Sequence, residues 1–264
     1  MLTIQQYVRA KSLEEAYTLC QDKKSVVLGG MLWLKLQNRA VTTAIDLSDL
    51  GLDTIQETDD AFQIGAMVTL RQLETHPGLA ALTQGAMETC VKPIVGVQFR
   101  NLATIGGSLF GRFGFSDLIT LFLALDAKVE LYHRGVLSLE EFLSLPPQRD
   151  ILVQVHLPKA PAQVSYLAQR NQSTDFPTLT CALVRRPGEA VRCAIGARPN
   201  RAELFLDEEG LLAQGITPET AQAFGEDIAK RAKFGNNLRA KAAYRQAICP
   251  VLVRRGLLRW KEEG

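Results

Sequence analysis

The chain has 264 residues, 30 of them Lys or Arg and 28 Asp or Glu, for a formal net charge of +2. With 47% hydrophobic and 22% charged residues it has the composition of an ordinary folded protein, long enough to bury a core as one large domain or two of usual size. The near balance of charge gives no electrostatic case for nucleic acid or an anionic membrane as a partner. The most apolar short run, residues 118–125, is bounded by Asp117 and Asp126 and is far too short to cross a bilayer.

In chain order, Ser12-Leu-Glu-Glu15 reads as a capping box opening a helix to about Asp22. Residues 25–28 and 42–47 are short, β-branched and apolar, the pattern of buried strands. Residues 52–57 and 61–65 flank Thr58-Asp59-Asp60 as a hairpin. Thr69 caps a short helix that Pro77 stops, and a second helix is expected over 78–90. The apolar run 118–125 reads as a buried helix and 128–132 as a strand, with Gly135 in the turn after it. Ser138-Leu-Glu-Glu141 is a second capping box, and 151–157 a strand ended by Pro158.

Prolines cluster over 146–161, which places a domain boundary there. Beyond it, residues 164–168, 179–185 and 191–197 read as three strands, the last two joined by a Pro187-Gly188 turn. Thr217 followed by Pro218 starts a helix. A last helix is expected over 237–258, and its basic residues at helical spacing read as a solvated or subunit-facing surface.

Five cysteines, Cys20, Cys90, Cys181, Cys193 and Cys249, are widely separated. Without any C-x-x-C there is neither a zinc knuckle nor an iron–sulfur binding run. The odd count and the lack of a signal-peptide pattern imply a reducing cytoplasm. His76, His133 and His156 are scattered, so no metal site and no catalytic base or nucleophile is expected.

Two glycine pairs remain. Val26-Val27-Leu28-Gly29-Gly30 and Ala103-Thr104-Ile105-Gly106-Gly107-Ser108 each lead from apolar or β-branched residues into paired glycine. Such a pair is often a tight turn and nothing more. It also permits positive φ and leaves N–H groups uncovered by any Cβ, which can bind an anion. Two such loops suffice for the two phosphates of a dinucleotide. No G-x-G-x-x-G is present, which argues against a Rossmann domain. Gly106 to Phe113 has P-loop glycine spacing but carries Arg112 and Phe113 where lysine and a hydroxyl residue are needed.

Three segments carry a family resemblance. One is Arg100-Asn101-Leu-Ala-Thr104-Ile-Gly106-Gly107-Ser108 with Ser116-Asp117 and residues 123–127. Another is Leu28-Gly29-Gly30 with Lys35-Leu36 and Ile45-Asp46-Leu47. The third is Leu238-Arg239-Ala-Lys-Ala-Ala-Tyr244-Arg245 with Val253-Arg254-Arg255. Together, over almost the whole chain, they resemble the FAD-binding (medium) subunit of molybdenum hydroxylases of the xanthine dehydrogenase and carbon monoxide dehydrogenase type. The resemblance implies an α+β fold of the vanillyl-alcohol-oxidase type. Its FAD-binding domain would span 1–155, as subdomains of about 1–50 and 51–155, and a small C-terminal α+β domain of three strands and helices would span 156–264.

The family also implies a cytoplasmic hetero-oligomer. FAD would pass electrons between an iron–sulfur subunit and an acceptor such as NAD, while a separate molybdopterin subunit oxidises the substrate. Val27, Leu28, Gly29, Gly30, Met31 and Leu32, with Ala103, Thr104, Gly106, Gly107, Ser108, Phe110 and Gly111, are the residues expected at the cofactor. Backbone N–H groups of both loops and the Thr104 and Ser108 hydroxyls would meet the diphosphate. Asp117 aligns with the family's Ser-Asp pair and would take a sugar or ribityl hydroxyl; the alternative is a helix N-cap, and Ser116-Asp117 can be cap and ligand at once. Ile94 is either apolar cover for the flavin or core. Arg100 meets a phosphate or a surface ion pair. Arg170 and Asp175 align with family positions and read otherwise as exposed loop residues.

The chain departs from the family where the first loop continues Met31-Leu32-Trp33 in place of polar residues, at about 1–2 kcal/mol for each lost hydrogen bond. It departs again at Phe110, Phe113 and Phe115, which crowd the second loop. Three functions follow: an FAD-holding electron-transfer subunit, a scaffold subunit that has lost FAD, or a stand-alone flavin oxidoreductase. The last is disfavoured by the absence of a catalytic constellation.

Overall fold

A computed structural model describes residues 1–262 of the chain. In chain order the elements are β1 (Thr3–Arg9), α1 (Leu13–Cys20), β2 (Val26–Leu28), β3 (Ala40–Asp46), β4 (Ile55–Glu57), β5 (Ala61–Gly65), α2 (Leu70–Thr75), α3 (Pro77–Leu82), α4 (Ala86–Val91), α5 (Val97–Arg100), α6 (Ile105–Phe110) and α7 (Asp117–Ala124). They continue with β6 (Lys128–Leu131), β7 (Gly135–Ser138), α8 (Leu139–Ser144), β8 (Leu152–Pro158), β9 (Gln163–Arg170), β10 (Pro177–Arg185), β11 (Arg192–Gly196), β12 (Glu203–Leu206), α9 (Pro218–Arg231) and α10 (Ala242–Glu262). The fold is thus mixed helix and sheet. Among the described residues no helix is long and apolar enough to cross a membrane.

The chain divides into two compact units. One comprises Met1–Gln72, Val97–Gly111 and Asp126–Lys159; the other comprises Leu73–Gly96, Arg112–Leu125 and the chain from Ala160 onward.

The first unit holds two sheets. A three-stranded sheet has the order β1-β3-β2, with both pairings parallel. It buries Ile45 and Leu47 with Ala16 and Cys20 of α1 and Ile151. Ser12 caps α1 by accepting the Glu15 N–H at 3.1 Å. The second sheet runs β4-β5-β8-β6-β7, antiparallel throughout. Ser138 caps α8 by accepting the Glu141 N–H at 3.0 Å.

The second unit is built on an antiparallel sheet of order β12-β11-β10-β9. Eight consecutive residues of β10, Pro177–Val184, are buried, so both faces of this strand are covered. Leu179, Cys181 and Leu183 share a core with Phe224 and Ile228 of α9 and Leu252, Val253 and Leu257 of α10. On alternate positions Thr180 points the other way and meets Thr120 of α7, Oγ1 to Oγ1 at 2.9 Å.

Three sequence expectations are corrected. The C-terminal sheet has four strands, not three, because β12 pairs with β11 from Arg192↔Leu206 to Ile195↔Glu203. The single helix expected over 78–90 is two helices, since Gln84 (φ 50°) and Gly85 (φ 78°) are left-handed and break the hydrogen-bond ladder. The last helix begins at Ala242 rather than 237, because the preceding segment is held around the Arg245 guanidinium.

The two long helices meet at glycine. A Cβ at Gly225 would lie 2.7 Å from the Pro250 Cα, whereas one at Gly256 would meet chiefly the Leu183 methyl Cδ1, at 2.4 Å. Backbone cannot step aside as a methyl can. Gly225→Ala is therefore expected to lower stability by about 1–3 kcal/mol in urea denaturation, and more than Gly256→Ala; the reverse order overturns this packing account.

Candidate cofactor site

The first glycine pair ends strand β2. Val26 to Leu28 pair in parallel register with Ala44 to Asp46, and the chain then turns through Gly29, Gly30, Met31 and Leu32. Lys35 N–H closes the turn on the Met31 carbonyl at 3.0 Å. The N–H groups of residues 29–32 donate to no acceptor among the described residues. Leu28 is buried and residues 29–32 are half-buried, so these donors line a partly sheltered bend.

Glycine is needed here for close approach, not for handedness. A Cβ on Gly30 would sit 1.9 Å from the Leu102 carbonyl oxygen, and one on Gly29 2.8 Å from Thr104 Oγ1. Neither glycine has positive φ; the left-handed residue is Met31, at 57°. The expectation that the paired glycines supply left-handed backbone is corrected accordingly. The close approach brings the first run against the second, so the structure places the two runs side by side within one unit.

The second run behaves differently from the loop expected. Thr104 caps α6, its Oγ1 accepting the Gly107 N–H at 3.1 Å. Ile105 N–H bonds the Val68 carbonyl and Gly106 N–H the Ala66 carbonyl, each at 2.9 Å, and Ser108 N–H bonds the Thr104 carbonyl at 3.1 Å. The Ser108 hydroxyl also donates to that carbonyl, at 2.9 Å. The amides from Ile105 to Ser108 are therefore spent inside the chain, and the expectation that they stand uncovered is corrected. A helix starts here, and its first turn is satisfied by its own cap and by the segment 66–68. Gly106 is required because a Cβ would lie 2.6 Å from the Ala66 carbonyl oxygen. Of the expected side-chain donors, only the Thr104 hydroxyl proton has no acceptor among the described residues. Ala103 is buried, Gly111 caps the end of α6, and Phe110 packs on Phe142 with ring centroids 5.9 Å apart.

Ile94, Ser116 and Asp117 lie in the second unit. Ser116 is the cap of α7, accepting the Ile119 N–H at 3.3 Å. Asp117 is the helix's first residue and is buried. Its Oδ1 accepts the Tyr166 hydroxyl at 2.5 Å and a guanidinium N–H of Arg170. Arg170 in turn donates to the Asp175 carbonyl at 2.6 Å. Arg170 is thus a buried ion-pair partner rather than an exposed loop residue, and Arg100 is likewise buried rather than on the surface. Burial pushes the Asp117 carboxyl up to about 6, against the pull of Arg170 and Tyr166. Burial, then the neighbouring carboxylate, pushes the Tyr166 phenol well above its ordinary value. Ile94 is half-buried and precedes Val95, a β-branched residue in the left-handed region (φ 51°) and therefore strained.

Sequence reasoning missed a cavity of about 310 Å³ in the second unit, lined by Phe115, Phe176, Pro199, Asn200, Asn237 and Arg239 among others. No motif announces it, since its walls come from four distant segments. Among the described residues no group of three or more His, Cys, Asp or Glu is placed to hold a metal ion.

Residues 2–160 match the family described as the FAD binding domain in molybdopterin dehydrogenase. The chain is 25% identical to the nicotine 6-hydroxylase medium subunit of Paenarthrobacter nicotinovorans, over 96% of this chain and 95% of that one. It is 28% identical to the carbon monoxide dehydrogenase medium chain of Hydrogenophaga pseudoflava, over 96% and 95%. A solved structure of carbon monoxide dehydrogenase from that organism, lacking the Mo-pyranopterin moiety, superposes with a TM-score of 0.85 at 24% identity, covering 96% of each chain, and shows the same fold.

The position of Asp117 has a consequence for stability. Its carboxyl binds a proton more tightly in the native state, at about 6, than in the unfolded chain, near about 3.9. Stability is therefore expected to rise as pH falls through 6, and to level off below about 4. Asp117→Asn should remove this slope, worth at most roughly 3 kcal/mol, in urea denaturation between about pH 4 and 8. The slope and not the absolute stability is the readout, because the variant also leaves Arg170 buried without its partner; an unchanged slope assigns the titration to another group.

Proposed function

The chain belongs to the family of FAD-binding domains of molybdopterin dehydrogenases, and from that premise we propose that the bend at residues 29–32 receives the FAD diphosphate. The observation that carries this reading is the run of four N–H groups without acceptors at the end of β2, in a bend that backbone contact at Gly30 holds open to no side chain. Main-chain donors suit a diphosphate without a metal, because successive amides in a turn containing a left-handed residue form an anion-binding concavity. They also explain how Met31 and Leu32 are tolerated: an amide donates whatever its side chain is.

In this reading the two runs divide the work. Gly29, Gly30, Met31 and Leu32 bind, with Val27 and Leu28 fixing the end of the strand. Thr104 adds one hydroxyl donor. Ala103, Gly106, Gly107, Ser108, Phe110 and Gly111 form the platform against which the first bend is set. Ser116, whose Oγ caps α7, and Asp117, whose Oδ1 meets Arg170 and Tyr166, belong to the same proposal as partners of a sugar or ribityl hydroxyl, and Ile94 as apolar cover for the flavin. When bound, FAD supplies the redox chemistry, and the protein supplies grip and orientation.

The chain is accordingly an oxidoreductase flavoprotein subunit, not the molybdopterin-bearing one. The finer picture belongs to the same proposal. It comprises a vanillyl-alcohol-oxidase-type domain over 1–155, with subdomains near 1–50 and 51–155, and a C-terminal α+β domain over 156–264. It also comprises iron–sulfur and molybdopterin partner subunits, an acceptor such as NAD, and a cytoplasmic location. The end of the family match at residue 160 supports the domain division. Relatives called medium subunit and medium chain support the hetero-oligomer. Five cysteines that are all free and buried suit a reducing compartment.

A second reading, a scaffold without FAD, is favoured by the spent amides of residues 105–108. The purified full-length chain decides between them. We expect it to carry, or take up from solution, FAD with the visible absorbance of bound flavin. Gly30→Ala should weaken that uptake at least about tenfold, since the Leu102 carbonyl must give way, while circular dichroism remains that of a folded protein. A folded wild-type chain that stays colourless in excess FAD establishes the scaffold instead.

A further inference from the structure

We infer that the outward face of α10 docks a partner protein through an acidic helix, one whose apolar ridge is bordered by carboxylates. The inference stands on the second unit alone and does not rest on the diphosphate reading.

The charge of this part of the chain is one-sided. Residues 228–261 hold ten Lys or Arg and no Asp or Glu. The whole chain is +2, so +2 less +10 leaves −8 for the rest of it. Elsewhere, arginines that reach the surface find carboxylates of their own chain: Arg9 pairs with Asp49, and Arg231 of α9 with Asp227 at 3.1 Å and Glu208 at 3.3 Å. On α10 the exposed side chains of Arg254, Arg255 and Arg259, and of Lys241 just before the helix, make no hydrogen bond or ion pair among the described residues.

The helix turns one side to the core and the other to solvent. Cys249, Leu252, Val253, Leu257 and Trp260 are buried. Opposite them lie Tyr244, Ala247, Val251, Arg254 and Leu258, spaced by 3, 4, 3 and 4 residues, the a/d repeat by which one helix packs along another. Tyr244 is 46% and Val251 40% exposed, Ala247 is exposed and Leu258 half-buried. Single apolar side chains on a surface need no explanation, but a row at heptad spacing over about 21 Å of helix does. Arg254 lies in the row, and Arg255 and Arg259 lie beside it. An apolar centre bordered by charge is the anatomy of a protein interface.

A cationic row with an apolar midline selects its occupant. A second copy of this chain would bring the same cations and no carboxylate. A lipid surface takes the broad apolar side of an amphipathic helix, and that side of α10 is already in the core. A nucleic acid is held through its phosphates and would leave Tyr244, Val251 and Leu258 uncovered. A helix bearing Asp or Glu beside its own apolar ridge meets both features at once. The midline then supplies most of the affinity, and the cations set the encounter rate and the register.

The test titrates the full-length chain into two labelled synthetic helical peptides, followed by fluorescence anisotropy. Both carry a leucine a/d seam; one has Glu and the other Lys at the flanking e and g positions. The Glu peptide is expected to bind at least about tenfold more tightly than the Lys peptide, with a preference that shrinks as salt rises. Arg254→Glu combined with Arg255→Glu should reverse the preference, chiefly through the association rate. Val251→Ser should weaken both peptides by raising the dissociation rate. All three side chains are exposed, and circular dichroism checks that the variants stay folded; the wild-type comparison carries the test even if one does not. Vesicles of phosphatidylserine and phosphatidylcholine, a DNA duplex, and sedimentation of the chain alone cover the other occupants. Equal affinity for the two peptides, a preference untouched by the charge reversal, or tighter binding to vesicles, duplex or a second copy that the charge reversal abolishes, overturns the inference.

Discussion

The carbonyl of Leu102 leaves no space for a side chain at residue 30, and the arrangement of the first unit's site follows from that steric fact. Because two backbones touch there, the bend after β2 is set against the N-terminal end of α6 rather than hanging as a free loop. Because the contact is made by main chain, no side-chain repacking relieves it. The bend's amides are therefore held in a fixed array whose own chain offers them no acceptor. An array of that kind is preorganised for an anion and needs no reorganisation when one arrives.

The two glycine runs look alike as sequence and do different work. In the first, the absence of Cβ lets one backbone reach another while the amides stay free. In the second, Gly106 lets α6 settle onto the Ala66 carbonyl, and the amides are consumed in starting the helix. The family relation says that FAD is held; the hydrogen-bond inventory says which of the two runs has donors left to hold it.

The second unit places charge deep inside in two ways. Asp117 and Arg170 answer each other, with Tyr166 closing the remaining geometry. Arg245 is answered only by neutral dipoles. The first arrangement is an ion pair; the second satisfies a cation with main-chain carbonyls and one side-chain amide.

Local grammar was legible in the residues themselves. Ser12, Ser138 and Thr217 cap the helices that their spacing announces, and the apolar run after Ser116-Asp117 is a buried helix, because a cap and a periodic face act over a few residues. The family, the cofactor and the two glycine runs were legible for the same reason: each is a short string of fixed identity. What required the tertiary structure was everything set by partners distant in sequence. Strand β1 is a polar edge strand with no apolar alternation, and it and β12 are strands through their pairing with β3 and β11. The guanidinium groups of Arg170 and Arg245 are buried because distant residues, Asp117 and Thr178 respectively, supply acceptors to them. Above all, whether a glycine's amide is free or spent depends on what lies within 3 Å of it, and that is decided by which backbone folds against it.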